Sequence, residues 1–143
     1  DFEGDVIWNE TNEIIIPENS SDIYFTRPFG GFDKSSYLLN VRLMVDNSSK
    51  AENNYYFLPI KDLQLPIANI EKEILKNNNG YLIKLTTDKL AKNVFLTTTV
   101  EGFFTDNFFD LLPGGTAEIQ FYTNDPVSDF NEHLEVISLI DTY

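Results

Sequence analysis

Segments in which apolar and polar residues alternate recur along this chain, and they constrain its fold more than any other feature. In Tyr37–Asp46 every odd position is apolar, whereas the even positions are mostly polar. Thr116–Thr123 alternates in the same way, with Ala117, Ile119 and Phe121 on one face. A period of two residues is typical of antiparallel strands that have one buried and one solvated face.

Shorter apolar runs, separated by turn residues, predict the remaining strands. They are Val6–Trp8, Ile14–Ile16, Ile23–Phe25, Tyr55–Leu58, Ile70–Leu75, Tyr81–Leu85, Asn93–Val100 and Leu134–Ile140. Ile67, Ile70 and Ile74 also fit a short amphipathic helix, but the following Asn79-Gly80 is a strong hairpin signal and favours a strand. Asp88–Lys92 predicts a single helical turn. The pattern indicates an all-β fold, an antiparallel β-sandwich of about eight or nine strands in one domain over residues 1–143.

Composition and charge exclude several classes of function. The formal net charge is −13, and no Lys or Arg follows Lys92. We therefore expect no nucleic-acid partner and no anionic membrane surface, because both attract basic proteins. The acidic surface serves solubility, or it faces a basic patch on a neighbouring domain. No Cys is present, so disulfides and thiolate metal sites are excluded.

No arrangement of residues predicts catalysis, a metal or a cofactor. His133 is the only histidine, so a catalytic triad or a His-based metal site lacks identifiable partners. The aspartates at 106, 110, 125 and 129 do not have the spacing of a calcium loop. Carboxylates are abundant, but in a sandwich most of them lie in turns and on solvated faces. We expect no catalytic residue, no metal site and no cofactor.

Aromatic side chains are the candidates for binding a ligand. Exposed aromatics stack on sugars, and Trp8, Tyr55 and Tyr56 are the candidates for such a carbohydrate-binding surface. Phe103, Phe104, Phe108 and Phe109 are further candidates for stacking on a sugar. The alternative is that most of these rings belong to the core, because aromatics supply much of the buried area of a sandwich.

One stretch resembles a known family of enzymes. Phe104–Gly114 reads FTDNFFDLLPG and is similar to a Phe-rich segment near the C-terminus of β-mannosidases of glycoside hydrolase family 2. In this chain Thr105 stands where Ser is usual, and Gly115 stands where Glu is common. Weaker similarities cover Ala91–Leu96, Lys61–Pro66, and Trp8 together with Ile16–Ser21.

The resemblance implies a non-catalytic immunoglobulin-like domain of a larger glycosidase. The catalytic glutamates of that family lie on a (β/α)8 barrel, which 143 residues cannot form. We therefore expect an accessory module whose partners are the other domains of the parent β-mannosidase. The alternatives are a carbohydrate-binding module that takes a mannoside or oligosaccharide, and an independent enzyme. An extracytoplasmic location is favoured over a cytoplasmic one.

The Phe-rich stretch is expected to be a structural corner. Its members are Phe104, Asp106, Asn107, Phe108, Phe109, Asp110, Leu112, Pro113 and Gly114. Leu112–Gly115 predicts a tight turn, because Pro fixes φ and Gly supplies positive φ. The three polar residues would bind local backbone amides. The apolar residues, with Phe103 and Leu111, would fill the end of the sandwich.

Overall fold

The computed structural model describes residues 1–143 and confirms the all-β fold, with nine strands and three short 3-10 helices. The strands are β1 Leu38–Val45, β2 Ser48–Tyr56, β3 Ile70–Asn77, β4 Gly80–Thr87, β5 Ala91–Thr98, β6 Phe103–Phe104, β7 Phe109–Leu111, β8 Thr116–Tyr122 and β9 Leu134–Ile137. The 3-10 helices are Ile60–Asp62, Phe130–Glu132 and Leu139–Thr142. None of these helices has the length and apolarity that crossing a membrane requires.

Strands β3 to β9 form an immunoglobulin-like sandwich of two antiparallel sheets. One sheet has the order β3-β4-β8-β6, and the other has the order β7-β5-β9. Strands β1 and β2 pair with each other in a separate two-stranded sheet. We call residues 64–143 the sandwich and residues 1–62 the first segment.

The hydrophobic core lies entirely within the sandwich. Its eleven buried residues fall between Tyr81 and Leu134. Alternate residues of β4 and β8 point inward, as the alternating sequence predicts, and Ile83 and Phe121 are completely buried. The rings of Tyr81 and Phe130 stack with centroids 4.2 Å apart, which closes one end of the core.

The predicted hairpin between β3 and β4 is present. Asn77 pairs with Gly80, so Asn78 and Asn79 form the two-residue turn and Gly80 begins β4. Gly80 has φ +131°, and a Cβ there would lie 2.2 Å from the carbonyl oxygen of Phe121 on the neighbouring strand. Glycine is therefore required both by the backbone conformation and by the close approach of β8.

Several local predictions were wrong. Residues 1–37 contain no strand, although three apolar runs predicted strands there, and Asp88–Lys92 contains no helical turn. The apolar face predicted for Tyr37–Asp46 is not buried: Tyr37 and Leu39 are half-buried, and Val41, Leu43 and Val45 are exposed, with Val41 at 54% and Val45 at 46% exposure. The physical reason is that no second sheet packs against β1 and β2. In the first segment only Phe2 and Ser35 are buried.

Candidate junction between the first segment and the sandwich

A β-bulge in β5 creates the polar site at which the two parts of the chain meet. Ala91 pairs with Leu111 and Val94 pairs with Phe109, so two residues, Lys92 and Asn93, face the single residue Asp110 of β7. Asn93 has φ +50°, which Asn tolerates better than most residues. A bulge leaves a backbone N–H without its strand partner, and that donor needs another acceptor.

The carboxylate of Asp110 is this acceptor, and it also accepts hydrogen bonds from Lys92 and Tyr56. The backbone N–H of Asn93 donates to Oδ1 at 3.0 Å. The ammonium of Lys92 donates to Oδ1 at 2.8 Å and to Oδ2 at 3.0 Å. The hydroxyl of Tyr56, which comes from the first segment, donates to Oδ2 at 2.7 Å. Lys92 and Asp110 expose only 10% and 15% of their side chains, so water screens this ion pair weakly.

Tyr56 packs onto the site as well as binding to it. The Lys92 ammonium lies 4.6 Å from the centroid of the Tyr56 ring, in cation–π geometry. Burial, followed by the hydrogen bond to Asp110 and the negative charge of Asp110, raises the pKa of Tyr56 far above its ordinary value. The phenol therefore remains a hydrogen-bond donor to Asp110 across the whole physiological range of pH.

Backbone hydrogen bonds also join the first segment to the sandwich. The N–H of Leu90 donates to the carbonyl of Phe2 at 2.8 Å, and the N–H of Gln64 donates to the carbonyl of Ser35 at 2.8 Å. Phe2 is 2% exposed, and its ring lies 6.2 Å from that of Tyr56. We call Tyr56, Lys92 and Asp110, together with Phe2, the junction.

The Phe-rich stretch also holds the edge of the sandwich beside the junction. The side chain of Asn107 accepts from the N–H of Leu96 at 2.8 Å and donates to the carbonyl of Leu96 at 2.9 Å, so its amide extends the ladder of hydrogen bonds before β7 begins. The N–H of Gly115 donates to the carbonyl of Leu112 at 2.7 Å, and Gly114 has φ +67°. These are the features of the predicted tight turn with Pro113 and Gly114 at its centre.

The polar residues of the stretch act over different distances. Asp106 binds locally, accepting from the N–H of Asn107 at 2.8 Å. Asp110 instead binds residues 17 and 54 positions away, which the prediction of local bonds did not include. That the stretch is a structural corner stays a prediction that mutagenesis can test.

Two aromatic residues expected to fill the end of the sandwich are on the surface. Phe103 and Phe108 are 63% and 67% exposed. Phe103 lies on the outer face of β6, because its neighbour Phe104 takes the inward position and packs against Phe121. Phe108 has φ +60° and stacks on Phe95 with centroids 4.7 Å apart. Phe109 is half-buried against the core.

The three aromatics proposed as a sugar-binding surface do not form one plane. Tyr55 and Tyr56 are adjacent on β2 and therefore point to opposite faces. Tyr56 is part of the junction, where its hydroxyl binds Asp110. Trp8 makes an edge contact with Phe29 at 81°, and Tyr55 makes an edge contact with Phe57 at 89°. Their binding of carbohydrate stays a prediction, and flat stacking on a sugar is not favoured by this arrangement.

Sequence reasoning missed the junction. Tyr56 was a candidate for sugar stacking, and Asp110 was a residue of the corner and one of the aspartates that lack the spacing of a calcium loop. Their partnership spans 54 residues, and no local pattern encodes such a distance. Two residues of the sequence are related to the junction: Asn93, which tolerates the positive φ of the bulge, and Lys92, which is the last Lys or Arg of the chain.

The two packed antiparallel sheets define an immunoglobulin-like domain, and comparison with known proteins shows the family to which the chain belongs. The model of mannosidase Ig-fold domains matches residues 65–142, and the model of the mannosidase Ig/CBM-like domain matches residues 1–62. The chain belongs to the family of mannosidase Ig-fold domains. No curated protein sequence matches it.

A solved structure has the same fold. The β-D-mannosidase from Dictyoglomus thermophilum is similar to this chain with a TM-score of 0.65 and 23% sequence identity. The similarity covers 76% of this chain and 14% of the mannosidase chain. The present chain therefore spans a small part of the length of that relative.

Proposed function

We propose that this chain is the non-catalytic C-terminal part of a β-mannosidase-like glycoside hydrolase and that it supports the neighbouring domains of that enzyme. The observation that carries the proposal is the junction. A bulge, a charged pair and a tyrosine hydroxyl converge on Asp110 to tie the first segment to the sandwich. Such a multidentate site with low exposure is suited to fixing one structural unit against another.

The same features support a division of the chain into two structural units instead of the single domain over residues 1–143 that the sequence predicts. The two family models divide the chain between residues 62 and 65. All eleven core residues lie in the second unit. The proposed role is that of an interdomain module: the sandwich holds the first segment in place, and the first segment contacts the other domains of the parent enzyme.

The proposal is tested on the isolated 143-residue chain and on the parent enzyme. The purified 143-residue chain should not hydrolyse 4-nitrophenyl β-D-mannopyranoside, whereas the parent enzyme that contains it should. In the parent, Asp110→Asn should shorten the half-life of activity at elevated temperature several-fold and leave KM unchanged, because the junction lies outside the chemistry. Asp106→Asn is the matched control. Turnover by the isolated chain, or an unchanged half-life in the Asp110 variant, would contradict the proposal.

A further inference from the structure

A groove of about 510 Å³ lies at the end of the sandwich, within the usual volume range of small-ligand sites. It is formed by the β3–β4 turn, the loop before β6 and the loop after β8. Its apolar residues are Phe103 and Tyr122, which face each other across β6 and β8 and stack with centroids 5.0 Å apart. Phe103 is 63% exposed, so one face of its ring is open to the groove.

Polar side chains surround this aromatic pair. Asn78, Asn79 and Asn124 line the groove, and all three residues are exposed. Glu101 and Asp125 add two carboxylates. Amides and carboxylates accept hydrogen bonds from hydroxyl groups, and amides also donate to them. An aromatic ring provides an apolar surface on which the C–H face of a pyranose ring can stack.

The backbone of the groove is fixed on both sides. A Cβ at Gly102 would lie 2.2 Å from the carbonyl oxygen of Tyr122, so the loop before β6 is held tightly against β8. On the opposite side, the N–H of Thr123 donates to the carbonyl of Asn79 at 3.3 Å. Rigid backbone under exposed side chains reduces the ordering cost of binding.

The groove and the junction are at opposite ends of the sandwich. Gly80 begins β4 beside the groove, and Leu90, which binds Phe2 of the junction, follows the end of the same strand. Eight residues of extended strand separate them, a length of roughly 25 Å. Docking of the first segment therefore leaves the groove accessible.

We propose that this groove binds a neutral oligosaccharide, with Phe103 as the stacking surface and Asn78, Asn79 and Asn124 as hydrogen-bonding partners of the sugar hydroxyls. The carboxylates and the net charge of −13 disfavour uronic acids and other anionic sugars. This site is distinct from the surface of Trp8, Tyr55 and Tyr56. The choice of a β-mannoside as the preferred ligand rests on the proposed function, whereas the groove itself does not.

The test is calorimetric titration of the 143-residue chain with β-1,4-mannotetraose, and separately with β-1,4-glucotetraose as a second neutral ligand. With one aromatic surface, we expect a Kd of about 1 mM or slightly below. Phe103→Ala should weaken binding about tenfold or more. Asn124→Ala should weaken it several-fold, which gives a second and milder variant of the same site.

Phe108→Ala is the matched control, because Phe108 is equally exposed and also stacks on an aromatic ring, but on the other sheet. It should leave the Kd unchanged, and thermal melts should show that all variants are folded. The proposal fails if neither tetrasaccharide binds at about 10 mM, or if Phe103→Ala leaves the Kd unchanged. It also fails if Tyr55→Ala abolishes binding instead. If only the glucose tetrasaccharide binds, the groove is a site for a neutral oligosaccharide, but the proposal that the parent enzyme is specific for mannosides is contradicted.

Discussion

Replacing Asp110 by asparagine tests the junction most sharply, because the two side chains have the same shape. The substitution removes the negative charge and leaves one acceptor oxygen for three donors. Lys92, whose side chain is 10% exposed, then competes for that oxygen and otherwise has the side-chain oxygen of Asn93 at 3.1 Å and the ring of Tyr56 as neighbours. A buried ammonium that loses its counter-ion is strongly destabilising.

The expected loss follows from the bonds that change. Hydrogen bonds to a charged acceptor contribute roughly 1.5–3 kcal/mol, and neutral ones contribute roughly 0.5–1.5 kcal/mol. Because Lys92 and Asp110 retain slight exposure, we expect the free energy of unfolding to fall by about 2–3 kcal/mol. In a chain of this size the midpoint of thermal unfolding should then fall by roughly 10 °C.

Circular dichroism during thermal and denaturant unfolding measures this effect. Asp106→Asn is the control, because Asp106 lies in the same stretch and its carboxylate accepts from the N–H of Asn107 at an exposed position. Its loss should be below about 1 kcal/mol. If the two variants differ by less than about 0.5 kcal/mol, the charge of Asp110 does not stabilise the chain and the reasoning about the junction is refuted.

Three further results are expected. Tyr56→Phe should lower the free energy of unfolding by about 1 kcal/mol at neutral pH. Because folding raises the pKa of Tyr56, only the unfolded chain loses the phenol proton just above pH about 10, and the stability of the wild type should fall there by up to ~1.4 kcal/mol per pH unit more than that of the variant. Denaturant titrations at a series of pH values measure this difference. Phe109→Ala should cost about 3 kcal/mol, whereas the exposed Phe108→Ala should cost under about 1 kcal/mol; equal losses in thermal melts would contradict the packing. Gly80→Ala should cost about 2–4 kcal/mol because its Cβ would meet the carbonyl of Phe121, while Gly30→Ala, with open space around it, should stay within about 0.5 kcal/mol in urea titrations.

Much of the sandwich could be predicted from its sequence. Period-two alternation located β8 to within a residue or two, and the Asn-Gly pair correctly favoured a strand over a helix at Ile70–Leu75. These predictions succeed because the pattern and the turn chemistry act locally, and because this part of the chain has a facing sheet to bury its apolar residues.

The first segment was harder to predict for a physical reason. Ile14–Ile16 and Ile23–Phe25 have the composition of strands, but a strand also needs a partner edge, and the structure provides none beside them. The exposed apolar face of β1 has the same cause. Phe108 could not be placed from its apolar character, because its positive φ is set by the bend around Asn107.

The junction and the groove depend on contacts between distant residues. The bulge turns Lys92 and Asn93 toward the carboxylate of Asp110, and Tyr56 reaches the same carboxylate from 54 residues away. Likewise, Phe103 and Asn78 come together only after β6 and β3 have joined the same sheet. Tertiary geometry of this kind leaves no local pattern in the sequence.

The most direct measurement of the central claim, that the junction holds the first segment on the sandwich, is denaturant unfolding followed by two probes. Trp8 is the only tryptophan and reports on the first segment, while circular dichroism reports mainly on the sheets of the sandwich. In the unmodified chain the two transitions should coincide. In Asp110→Asn both transitions should move to lower urea, and the Trp8 fluorescence transition should move further, to about 1 M urea below the circular-dichroism transition. Parallel movement of both transitions, or separate transitions already in the unmodified chain, would contradict the account.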